Sequence, residues 1–151
     1  DSKSIYDRAG IIGKKSGATM TSLIERFEVR TMIIETPIFA NSPMTASNLA
    51  LTQGALVGAS IFGGIHKVVG TAPIQWQSFI GNNNLTKAEK EQIKLDNPTQ
   101  TANWLKNYHR DFRKQRTMTY VNNRFGLDIK DNDVGDAIGI GCYALDSGVL
   151  K

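Results

Sequence analysis

Two periodicities alternate along the chain. Ser4 to Ile12 reads as a short strand, followed by the basic turn Gly13-Lys14-Lys15-Ser16-Gly17. Thr19 or Thr21 then caps a helix running to about Glu28, with Met20, Leu23, Ile24 and Phe27 on one face. Val29 to Ile34 is apolar and rich in β-branched side chains, ends in Glu35 and stops at Pro37. This predicts a buried strand with a carboxylate at its carboxyl end, where open α/β sheets build their sites. Asn41-Ser42-Pro43 opens a long helix from Met44 to Phe62. Along it Ala46, Ala50, Gly54 and Gly58 recur at four-residue spacing as a ridge of small side chains.

His66 to Thr71 reads as another strand, and Pro73 to Ile80 as a short piece holding Trp76 and Phe79. Gly81-Asn82-Asn83-Asn84 is a loop. Thr86-Lys-Ala-Glu89 has the capping-box pattern of a helix start, and Asn97-Pro98 ends that helix. Thr99 opens a second helix in which Leu105, Tyr108 or His109, and Phe112 face inward, while Lys106, Arg110, Arg113 and Lys114 fall on another face. It continues to Phe125 and stops at Gly126. Asp128 to Asn132 is a polar loop, and Asp133 to Leu145 an apolar last helix containing Cys142. The order of strands and helices predicts an α/β fold, layers of helix around a mixed central sheet.

The chain has 151 residues, 40% of them hydrophobic and 21% charged, which suits one globular domain over 1–151 and excludes a disordered tail. The longest apolar stretch, Leu49 to Ile65, is interrupted by Thr52, Gln53 and repeated Gly and Ser, so no membrane span is expected. A single cysteine excludes an internal disulfide framework and a cysteine-based zinc site, and points to a reducing compartment. The net charge is +4 and is unevenly placed. Thr86 to Phe125 holds nine basic residues against four acidic ones, so the rest of the chain is about neutral. A focused cationic patch points to nucleic acid.

Glu35, Asp133 and Asp136 carry the chemistry signal. Glu35 ends a strand, and Asp133 and Asp136 are three apart at a helix start, on one face of its first turn. Gathered carboxylates suit a hard divalent cation, Mg²⁺ with Mn²⁺ as its substitute. The same two aspartates also fit a solvated helix cap.

Met32-Ile-Ile-Glu35 with Thr36-Pro-Ile-Phe39, then Ser47-Asn-Leu-Ala-Leu-Thr-Gln-Gly54, then Asp133-Val-Gly-Asp136-Ala-Ile-Gly-Ile, together resemble the RuvC-type Holliday-junction resolvases of bacteria and phages. The similarity runs from about Leu23 to Leu145. It implies an RNase H-like fold, a homodimer, and symmetric nicking of four-way DNA junctions with Mg²⁺. It implies Glu35, Asp133 and Asp136 as catalytic metal ligands. Phe39, or Ile38 beside it, falls at the family's aromatic wedge. Lys114 and Arg116 fall near a phosphate-contacting lysine of the family, with Lys106, Arg110 and Arg113 upstream as further DNA contacts.

Two features depart from the family pattern. No Asp-x-x-x-x-Thr-Gly precedes the first helix, so the opening strand with the first catalytic Asp is expected to be absent from this sequence; Asp1 and Asp7 are poor substitutes. A basic helical insertion occupies about 84–112, where compact relatives have a short loop. The resemblance implies a structure-selective endonuclease in the cytoplasm of a bacterium or phage-infected host. A branched-DNA-binding module or nuclease fragment lacking the first acid is the alternative, and an RNase H-like nuclease of the transposase type a further one. His66, His109, Trp76 and Cys142 are read as structural.

Overall fold

The computed structural model describes residues 4–36 and 42–150. Its contacts cluster into two compact units, Asp1–Ala72 and Pro73–Lys151. Among the described residues, no helix is long and apolar enough to cross a membrane.

The first unit begins with helix α1, Ile5–Phe27. This overturns the expected strand and basic turn at 4–17. A capping box starts the helix: the Asp7 N–H donates to the Ser4 hydroxyl oxygen at 3.1 Å, and the Asp7 carboxylate accepts from the Ser4 N–H at 3.1 Å. Glycines at 10, 13 and 17 weaken local helix propensity, which is why the segment reads as broken. Tertiary packing overrides that weakness. A Cβ on Gly13 would lie 3.8 Å from the Ala55 carbonyl oxygen, and one on Gly17 would lie 3.9 Å from the Ala59 Cβ. The glycines thus let a second helix approach closely. Thr19 and Thr21 are not caps either: mid-helix, their hydroxyls donate to the carbonyls of Lys15 and Gly17.

Strand β1, Thr31–Glu35, follows. Helix α2, Pro43–Phe62, starts with Ser42 as N-cap and proline at the first turn. It carries the chain to β2, Lys67–Thr71. β1 and β2 pair in parallel, from Thr31 opposite Lys67 to Glu35 opposite Thr71. A parallel pair needs such a crossover, and α2 supplies it. The expected mixed sheet is therefore corrected: among the described residues the sheet has two parallel strands. β1 is half-buried rather than buried, with Glu35 exposed; among the described residues each strand has one strand neighbour.

The second unit is helical: α3 (Pro73–Phe79), α4 (Lys87–Asp96), α5 (Ala102–Phe125) and α6 (Asn132–Asp146). The Thr86–Glu89 capping box forms as expected. Thr101, not Thr99, caps α5. Gly126 ends α5 with φ of 64°, a left-handed conformation that glycine adopts without strain. Trp76 is fully buried, and a Cβ on Gly139 of α6 would lie 3.0 Å from its ring. Cys142 is buried and forms no disulfide, a core position as expected.

Candidate functional site

Glu35 stands at the carboxyl end of β1 beside a cavity of about 430 Å³, walled by Ile34, Thr36 and the Leu49, Thr52, Gln53 and Leu56 face of α2. The Gln53 amide donates to the Glu35 backbone carbonyl at 3.2 Å and ties strand end to helix. Phe39 and Ile38, the expected wedge, lie outside the described residues.

The two aspartates belong to the second unit. The Asp131 carboxylate, not theirs, caps α6: it accepts from the N–H groups of Asp133 at 2.8 Å and Val134 at 3.3 Å. That leaves Asp133 and Asp136 without a capping duty and removes the capping interpretation for them. Asp133 is exposed and Asp136 half-buried. The Asp136 pKa is raised, first by burial and also by the negative charge of Asp133, against the opposing pull of Lys114, a Thr117 hydrogen bond and Arg113. This pair of hard oxygen donors, close enough to repel, is chemically suited to a divalent cation. Among the described residues no three His, Cys, Asp or Glu side chains are grouped to hold a metal ion.

Asp136 also lies on the wall of a larger cavity, about 580 Å³, within the second unit. Its basic lining includes Lys90 of α4 and Lys106, Arg110, Arg113 and Lys114 of α5. The four α5 cations named from helical spacing thus share one concave surface. They are not equivalent. Lys106 and Arg110 are exposed. Arg113 is half-buried and its guanidinium donates to the Gln77 side-chain oxygen. Arg116 faces a different cavity, bonds the Glu89 carboxylate at 2.5 Å and lies 4.8 Å over the Phe112 ring. Arg116 thus links α4 to α5.

Of the residues expected on the inward face of α5, Leu105 and the alternative His109 line the cavity, whereas Tyr108 and Phe112 are each 38% exposed; Tyr108 stacks on Trp104 at a centroid distance of 4.9 Å and on Phe112 at 6.3 Å. The row that faces the cavity is Leu105, His109, Arg113 and Thr117. His109 is therefore a functional candidate that sequence reasoning set aside, although its four-residue spacing from Leu105 and Arg113 places it on their row. Asn82 is the other. It is buried, and its amide nitrogen donates to the Arg113 carbonyl at 2.8 Å and the Thr117 hydroxyl at 2.9 Å.

No protein-family model matches the chain, and no curated protein matches it in sequence. Among solved structures, it is similar to Thermus thermophilus RuvC in complex with a Holliday junction substrate, with a TM-score of 0.61 at 15% identity, covering 97% of this chain and 73% of that one. It is also similar to a Thermus thermophilus RuvC structure, with a TM-score of 0.60 at 16% identity and the same coverage. The likeness shows a RuvC-like fold.

Proposed function

We propose that this chain is a structure-selective DNA endonuclease of the RuvC type, acting on four-way and other branched junctions. The observation that carries the reading is Asp136 on the wall of the cationic cavity, in a chain with a RuvC-like fold. Cations gather phosphates, and a half-buried carboxylate beside them suits a site where a bound phosphodiester reacts.

In this reading the two units form one RNase H-like domain, with α4 and the start of α5 as its insertion. Asp133 and Asp136 would hold Mg²⁺, with Glu35 as the third ligand that the family resemblance implies; the ion would supply activation of water and stabilisation of the leaving 3′ oxygen. Lys106, Arg110 and Lys114 neutralise backbone phosphates without reading sequence. Arg113, anchored by Gln77, presents its remaining charge to the same surface. Phe39 serves as the wedge at the junction centre. Two copies pair through α2, where a Cβ on Gly54 or Gly58 would meet nothing within 4 Å and Phe62 is 96% exposed; a two-fold dimer supplies one site per cut strand.

The second reading is a module that binds branched DNA and does not cut. A nicking assay on synthetic four-way junctions and matched duplex, with Mg²⁺ and with chelator, separates the two. Mg²⁺-dependent nicks restricted to the junction support the nuclease. Tight junction binding without nicks supports the module. Equal affinity for both DNAs rejects both.

A further inference from the structure

We infer that the 580 Å³ cavity along α5 is a binding site for one unpaired nucleotide, either a free nucleoside monophosphate or a nucleotide displaced from a strand. Its volume lies in the range of small-molecule sites, about 300–1,000 Å³, and far exceeds what a phosphate group needs. Three kinds of wall meet there. Leu85, Ala102 and Leu105 are apolar. Lys90 and Lys106 bring positive charge and have no ion pair among the described residues. Asn82, His109 and Arg113 each hold a buried polar atom with no hydrogen-bond partner: the Asn82 Oδ1, the His109 Nε2 and the Arg113 Nε.

Unpaired buried polar atoms are rare and costly, so three in one cavity lining call for a partner. The set is chemically mixed. The Asn82 amide nitrogen is already spent on Arg113 and Thr117, which fixes the orientation of its oxygen as an acceptor. Inorganic phosphate offers such an oxygen at most a P–OH donor and no ring for the leucines. A nucleobase offers both donors and acceptors, an apolar ring for the leucines, and a phosphate for the lysines. All three side chains line the cavity. Asp136 shares the wall, with Lys114 and Arg113 drawing on its charge. The site rests on the DNA-binding reading only for where the nucleotide comes from.

The test is calorimetric titration of the full chain in chelator with 2′-deoxyadenosine 5′-monophosphate, 2′-deoxyadenosine and inorganic phosphate. The monophosphate is expected to bind at least about tenfold more tightly than either fragment. His109→Leu is expected to weaken it about fivefold to tenfold, the loss of one hydrogen bond. Leu105→Trp, which fills the cavity from a half-buried position, should abolish binding while the circular dichroism spectrum and thermal transition persist. A duplex with one extrahelical deoxyadenosine is compared with its abasic counterpart. Preference for the base, lost in Leu105→Trp, supports the strand as source; monophosphate binding without that preference supports a free nucleotide. Phosphate binding as tightly as the monophosphate, or no binding by either, overturns the site. Every arm lacks metal, so a failure to cut junctions leaves these outcomes unchanged.

Discussion

The Glu89 carboxylate and the Arg116 guanidinium meet at 2.5 Å, joining the first turn of α4 to the middle of α5. The same carboxylate accepts from the Thr86 backbone N–H at 2.7 Å and its hydroxyl at 2.9 Å. The Thr86 backbone bond is the largest cause, and Arg116 the next, of a carboxyl pKa lowered from 4.5 to about 2. A pKa depressed on folding contributes stability above the unfolded value and loses it as pH falls through the folded one. Urea midpoints of the wild type should therefore fall more steeply than those of Glu89→Gln between pH 4.5 and about 2. Glu89→Gln should be the less stable protein at neutral pH, with the gap closing in acid. Parallel curves would remove this link.

Gly139 and Gly141 test the packing of α6. A Cβ at Gly139 would press on the Trp76 ring at 3.0 and 3.3 Å, and that ring, fully buried, has little room to give. Gly139→Ala should destabilise the chain by about 1–3 kcal/mol, overpacking outweighing the gain in helix propensity. A Cβ at Gly141 meets nothing within 4 Å. Gly141→Ala should stabilise by about 0.5–1 kcal/mol. Chemical denaturation of both variants reads the contrast.

Asp136→Asn separates function from stability. Burial and Asp133 raise the Asp136 pKa, so its ionised form is disfavoured by folding, and stability drops as pH rises from 3.8 through the folded value. A neutral amide removes that penalty. The variant should melt higher than wild type at neutral pH in chelator. Junction nicking should fall by about 10²-fold or more, the scale of losing a metal ligand worth several kcal/mol.

The cation face predicts a salt dependence. Lys106 and Arg110 are exposed on the cavity rim, whereas Arg113 is held by Gln77. Replacing Lys106 and Arg110 by Ala should flatten the log–log plot of junction affinity against salt by up to about two units, at roughly 0.9 per phosphate. Affinity measured from low to high salt checks it; an unchanged slope would mean a merely solvated face.

Signals that act between near neighbours in sequence were legible in the chain. The Thr86–Glu89 capping box, the stop at Gly126, the strands at 31–35 and 67–71, and the pair Asp133 and Asp136 on one helix turn all follow from local periodicity and capping. So did the concentration of positive charge on α5. The capping box of Ser4 and Asp7 was equally readable, but three glycines masked it, and only the docking of α1 against Ala55 and Ala59 decided that they are helical. The cavity could not be read from spacing. It depends on Asn82 bonding Thr117 and Gln77 bonding Arg113, partners 35 and 36 residues apart. Those pairings turned His109 toward the cavity lining, left Tyr108 and Phe112 outside, and committed Arg116 to Glu89. A helix dictates which side chains share a face, because its period is set by the backbone; which face is buried depends on what the rest of the chain brings against it.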